Sequence, residues 1–393
     1  MNMARTGVCD SKPLLDLHMK AEERRAPFRA WANTCGPLDQ WQPVDMEESR
    51  MGLIKMESEH KWERKFPGRA ADGRIMGLHE DGLTVGGGTK EGCVEQAVLL
   101  PGFESLLSLM PSLLRHEVET TLQKLDLILD RTYAWEMFLD MMKSQGRSCF
   151  PNADLPRHFT DSTRAVLVDW LMQVHEIMNF QDDTLYLSIH LLNRALRQVK
   201  VSTANLQLLG MVCLFIAAKK EESLLPEVSG LCYLMDHTYT KHQLLRMERK
   251  VLCGLKFDLS YCSPLHFLHI LASLARCSAK VVWMARYLLQ LSLLENQCVV
   301  VLPVHLAGAA LCLARQVVQE PPTPEGEAAW CLASSIHVGS EATLLRIMHV
   351  LASAAAKAKT REMSATFNKF SSPDTMQVSR HPGLDDISAL LTL

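Results

Sequence analysis

Thr163-Arg164-Ala165-Val166-Leu167-Val168-Asp169-Trp170-Leu171 places Arg164 and Asp169 inside a dense apolar run. Val166, Leu167, Trp170, Leu171 and Val174 recur at three- and four-residue spacing, which predicts a helix over about 162–178 with that stripe turned inward. Asp161 or Ser162 is the expected N-cap. Two clusters downstream share this texture: Ala217-Ala218-Lys219-Lys220-Glu221-Glu222, and Leu245-Arg246-Met247-Glu248-Arg249-Lys250-Val251-Leu252. None of the three is a catalytic motif. Charged residues beside a packed apolar face suit a rigid helical body that grips another protein.

The neighbouring sequence extends the helical reading. Asp182 and Asp183 precede a stripe of Leu185, Ile189, Leu192, Leu196 and Val199, and their carboxylates suit a helix N-terminus. Residues 204–219 are apolar nearly all round, so that helix must be surrounded by others, and Gly210, Cys213, Ala217 and Ala218 allow close approach. A short helix is expected after Pro226. Thr240-Lys241-His242-Gln243 is a capping-box pattern opening a fifth helix that buries Leu244, Met247, Val251 and Leu252. Ser263-Pro264 starts a new unit, an N-cap followed by proline at the first helical position. Residues 280–294 then resemble the second helix and 304–318 the buried third one, offset by roughly a hundred residues, the size of a small domain. Gln319 to Gly326 is read as a loop. Upstream, Leu114, Val118, Leu122, Leu125 and Leu129 form one apolar face, continued by Tyr133, Met137, Phe138 and Met141.

The order and separation of these clusters resemble the cyclin box of A- and B-type cyclins. That family has Met-Arg-Ala-Ile-Leu followed by Val-Asp-Trp-Leu where this chain has Thr163 to Leu171. Asp236-His237-Thr238-Tyr239-Thr240-Lys241 is similar to the family's Asp-Asp-Thr-Tyr-Thr-Lys. The clear resemblance runs from about Arg131 to about Gln319, with considerable divergence. It implies an all-α fold of two tandem five-helix cyclin-box domains, 146–262 and 263–370. An extra N-terminal helix (111–145) and a largely disordered tail (1–110) precede them, and an irregular tail (371–393) follows. The implied partner is the catalytic subunit of a cyclin-dependent protein kinase. Lys219 and Glu248 match the pair that reaches the kinase, and Tyr133, Met137 and Phe138 lie on the helix that helps hold it. Arg164 matches an internal arginine whose usual aspartate partner is Asn193 here, which predicts that Arg164 turns to Asp169, backbone carbonyls or water. Val166, Leu167, Trp170, Gln173 and Gln207, beside Thr163, match a docking patch for Arg-x-Leu substrates or inhibitors. Thr163 stands for a methionine and Gln173 for a glutamate, so docking is expected to be weak.

Composition sets the limits. At 393 residues and 48% hydrophobic, the chain can bury a sizeable core, and a net charge of −3 gives no polyanion-binding character. Its 12 cysteines include no Cys-x-x-Cys pair, so no metal site is expected, and thiols such as Cys213, Cys253 and Cys312 read as reduced core residues. No membrane span, cofactor motif or nucleic-acid interface is expected, and the location implied is nucleus and cytoplasm. No phosphate loop or nucleophile motif stands out, so an enzyme is the weakest reading. A zinc ribbon and a basic face, which general transcription factors of the TFIIB type would bring to the same box, are both missing from the sequence. A cyclin-fold scaffold that activates no kinase is the alternative, supported by Asn193 and Thr163. Short patterns of low specificity complete the list: Arg50-Met51-Gly52-Leu53 as a degradation signal, and Thr323-Pro324 and Ser372-Pro373 as phosphorylation sites.

Overall fold

The computed structural model describes residues 112–128, 130–156, 159–321, 323–336, 341–358 and 364–387. The expectations for residues 1–110, the degradation pattern included, lie outside the described residues. Every regular element among the described residues is helical.

Two helices come first, α1 (Ser112–Lys124) and α2 (Ala134–Ser144). The single upstream helix read from the sequence is thus broken. Asp126 adopts a left-handed φ of 52°, and the Asp130 carboxylate then accepts from the Thr132 amide at 2.8 Å to cap a short 3-10 turn before α2. Leu114, Val118 and Leu122 are fully buried, and α1 packs on the first helix of the second box.

The first box is α3 (Asp161–Met178), α4 (Asp182–Gln198), α5 (Leu206–Glu221), α6 (Val228–Leu234) and α7 (Lys241–Gly254). Thr160, not Asp161 or Ser162, caps α3: its hydroxyl accepts from the Thr163 amide while Asp161 enters the first turn. The hydrophobic centre is α5, with Leu206 and every residue from Leu208 to Ala218 buried. A Cβ added at Gly210 would meet Leu167 and Leu171 side chains at 3.1 and 3.2 Å, so α3 sits almost on the α5 backbone. Most of the apolar stripe positions expected on α3, α4 and α7 are buried, but Val166 and Leu252 are only half-buried. The thiols divide: Cys213 is buried, Cys312 half-buried, and Cys253 exposed on the outer side of α7, against expectation.

The second box is α8 (Pro264–Leu274), α9 (Ala279–Ser292), α10 (Pro303–Val318), α11 (Pro324–Ser334) and α12 (Glu341–Ala358), followed by the short α13 (Ala365–Lys369). Its α9–α10 pairing repeats the α4–α5 pairing of the first box. Ser263 caps α8 with Pro264 at its first position. The expected loop ends early, because Thr323 caps α11 and Pro324 to Gly326 form its first turn. Residues 371–387 of the tail, read as irregular, make three 3-10 turns and bury Val378, Leu384 and Ile387.

Candidate functional site

Lys219 and Glu248 come from different helices and meet at the rim of the first box. Lys219 occupies the last turn of α5, whose C-terminal dipole favours a cation. The helix stops at Glu222, which turns extended. The Glu222 carboxylate accepts from the Gln181 amide at 2.7 Å and from the Thr184 hydroxyl at 2.5 Å, clamping the α5 exit onto the start of α4. Glu248 is set by α7, whose start is fixed twice. Thr240 and Gln243 form the full capping box, and the Tyr239 hydroxyl donates to the Ala204 carbonyl just ahead of α5. The Asp-His-Thr-Tyr-Thr-Lys stretch is therefore a brace that holds α7 against α5.

With both helices braced, Lys219 Nζ donates to Glu248 Oε1 at 2.5 Å. The ammonium also lies 4.3 Å from the centre of the Phe215 ring, a cation–π contact. Lys219 keeps 40% of its side chain exposed and Glu248 keeps 11%, so the pair shares one accessible surface. Leu245 lies one helical turn before Glu248, and Leu224 and Leu225 follow the end of α5; all three are exposed, Leu224 by 85%. Exposed Leu245, one turn from a preformed ion pair, makes that rim amphipathic. Sequence reading missed these leucines, although the departure of Leu245 from the buried stripe of α7 was a usable signal.

Other anticipated residues divide. Tyr133, at the N-cap of α2, is 63% exposed and Met137 half-buried, but Phe138 is fully buried and packs against Trp135 at 5.7 Å between ring centres. Phe138 is therefore core and offers no surface to a partner; it lies on the inward face of α2 and Met137 on its flank. The docking patch is only partly open. Leu167 is fully buried, Trp170 is 5% and Gln173 8% exposed, leaving Thr163, Val166 and Gln207 at the surface. Gln173 spends its amide on Asp169 Oδ2 at 2.8 Å. Asp169 Oδ1 accepts from the Ala365 amide at 3.0 Å.

Arg164 is 1% exposed. The sequence predicted Asp169, carbonyls or water as its partners; the structure selects carbonyls and adds Asn193. Nε donates to Asn193 Oδ1 at 3.0 Å, and one terminal nitrogen donates to the carbonyls of Leu293 and Leu294 at 2.9 and 3.3 Å. No carboxylate among the described residues pairs with it, and burial pushes its pKa down to about 10.

Two tandem helical boxes, the second repeating the central helix pair of the first, define a cyclin-type architecture. The cyclin N-terminal domain family matches residues 120–260 and the cyclin C-terminal domain family matches residues 262–384. The G2/mitotic-specific cyclin-B2 of Rana japonica is 36% identical over 224 residues, covering 56% of this chain and 55% of that protein. The G2/mitotic-specific cyclin-B of Spisula solidissima is 34% identical over 226 residues, 57% of this chain and 51% of that protein. The chain thus spans about half the length of the curated relatives it matches. A viral cyclin from herpesvirus saimiri aligns at a TM-score of 0.43 and 20% identity, over 50% of this chain and 86% of that one. The chain belongs to the cyclin family, with a box of the A and B type.

Proposed function

We propose that the chain is a non-catalytic regulatory subunit that binds a cyclin-dependent serine/threonine protein kinase, switches it on, and acts in cell-cycle control in nucleus and cytoplasm. The observation that carries this reading is the Lys219–Glu248 pair, held at 2.5 Å on a shared exposed rim. A kinase is active only when the helix bearing its catalytic glutamate is turned inward to complete a Lys–Glu ion pair. A rigid face that binds only that arrangement shifts the kinase population toward it and needs no reactive group of its own. Lys219 and Glu248 supply one donor and one acceptor in fixed register, and Leu245, Leu224 and Leu225 supply apolar area around them. The cell-cycle assignment draws on the G2/mitotic naming of the relatives. Docking of Arg-x-Leu segments is weak in this reading, because Gln173 is neutral and already bonded to Asp169.

The test is the double substitution Lys219→Ala/Glu248→Ala. Lys219 is part-exposed and Glu248 largely buried, so removing both partners together, which strands neither charge, should leave helical circular dichroism unchanged. Co-purification with members of a panel of cyclin-dependent kinases should be lost. Retained kinase would show that the contact lies elsewhere. Kinase captured by the parent chain should phosphorylate a histone-like substrate; bound but silent kinase would favour the scaffold alternative.

A further inference from the structure

At the junction of the two boxes lies a cavity of about 60 Å³ whose walls include Arg164, His190, Asn193, Tyr261 and Cys298. No Asp or Glu lines it. Its polar groups are donors or neutral. Among the described residues the Arg164 guanidinium is bonded only to neutral oxygens. Cys298, and more weakly Asp161 and Glu295, act favourably on it without a hydrogen bond, and Arg197 adds a repulsive positive charge. His190, 5% exposed, stacks on Tyr261 at 4.5 Å between ring centres, and its Nε2 has no hydrogen-bond partner. Burial pushes the His190 pKa down to about 3, so the ring is neutral and keeps one N–H. Burial likewise pushes the Cys298 thiol up to about 12, so it stands as S–H and not as a thiolate counter-charge.

A buried cation without an anion is expensive, and a cavity beside it is where a counter-ion is stabilised most. One water needs about 10–15 Å³ on the same measure, so the space admits a halide with water beside it but no bulky anion. A single guanidinium favours one negative charge. We propose that this cavity binds a small monovalent anion, chloride in size, against Arg164. The ion neutralises the guanidinium and is held further by the His190 N–H, tying the two boxes together.

The experiment compares thermal unfolding of the full chain in sodium chloride and in sodium gluconate at equal ionic strength. Chloride should raise the melting temperature by about 2–4 °C, the size of a modest ligand linkage in a chain of this length, and the gain should grow with the logarithm of its concentration. Asn193→Asp places a carboxylate where the counter-charge is needed, and should melt at one temperature in both salts. Equal melting of the parent in the two salts, or a full chloride advantage retained by Asn193→Asp, overturns the site. Chlorine-35 line widths give a reading independent of any variant's folding. The parent should broaden the chloride signal, and bromide, but not gluconate, should reverse it; no broadening, or broadening that bromide leaves untouched, overturns it equally.

Discussion

Asn193 determines how Arg164 is used. An amide oxygen accepts one hydrogen bond from Nε but supplies no charge, so the guanidinium reaches across to the Leu293 and Leu294 carbonyls of the second box. The Arg164–Asn193 bond already has an ionised donor, and a carboxylate at 193 would add direct charge attraction to a guanidinium that is buried without an anionic partner among the described residues. Asn193→Asp should therefore raise the melting temperature in halide-free buffer by several degrees, read by calorimetry. An unchanged value would mean that the carbonyls already satisfy Arg164. Asn193→Ala should act oppositely, leaving Nε buried without an acceptor. The substitution itself was visible in the sequence, but the replacement partners were not, because nothing in Leu293-Leu294 marks its backbone oxygens as acceptors 129 and 130 residues away.

Among the elements, α7 shows what a local signal can and cannot say. The Thr240/Gln243 capping box was readable from four residues, and the structure contains both of its hydrogen bonds. Losing such a cap costs about 1 kcal/mol. Thr240→Ala should lower stability by that amount in urea unfolding while weakening kinase capture far less than the Lys219/Glu248 double substitution, since Glu248 sits about two turns further on. Kinase capture lost to the same degree would mean that the helix start, not the ion pair, makes the contact. Helix interiors in the first box were legible because burial imposes a 3.6-residue period, as on α4, where Leu185, Ile189, Leu192, Leu196 and Val199 are all buried, while α11 and α12 of the second box were not read. Aperiodic elements were not legible. Residues 371–387 are rich in Ser and Asp, with two Pro, and read as irregular. They are ordered by isolated contacts, among them the Ser379 amide on the Phe370 carbonyl at 3.2 Å, with Phe370 itself against Tyr287 at 5.5 Å between ring centres. The break inside the upstream helical segment was hidden for a related reason: its apolar spacing runs on through the turn at Asp126, where the backbone φ is 52°.

Across the whole molecule, the boxes are joined by charge as well as by apolar packing. Asp182 pairs with Arg286 and, at 2.9 Å, with Lys369, which also reaches Glu176 at 2.8 Å; Asp183 meets His266 at 3.2 Å. Burial alone would raise the Asp182 pKa, but Lys369 and Arg286 outweigh it and hold it at about 2. A carboxyl depressed in the folded chain contributes fully above its unfolded value near 4, and that contribution is lost as pH falls from about 4 through 2. Asp182→Asn should thus lower the melting temperature at neutral pH and flatten its decline across that acid window; a decline as steep as the parent's would assign the loss to other carboxylates. These pairings join residues far apart in the chain, those of Asp182 and Glu176 by more than a hundred positions, and no spacing rule encodes them. The Lys219–Glu248 pair was legible because the family resemblance reached both of its residues, while nothing in the sequence singled out Leu224 and Leu225 as exposed. Arg164 carries one more consequence. Its anchors in the rear half are main-chain oxygens, so their dependence on it leaves no trace in residue identity. A chimera joining this front half to a relative's rear half could align perfectly and still unseat the guanidinium, if the donor backbone runs an ångström aside at that spot.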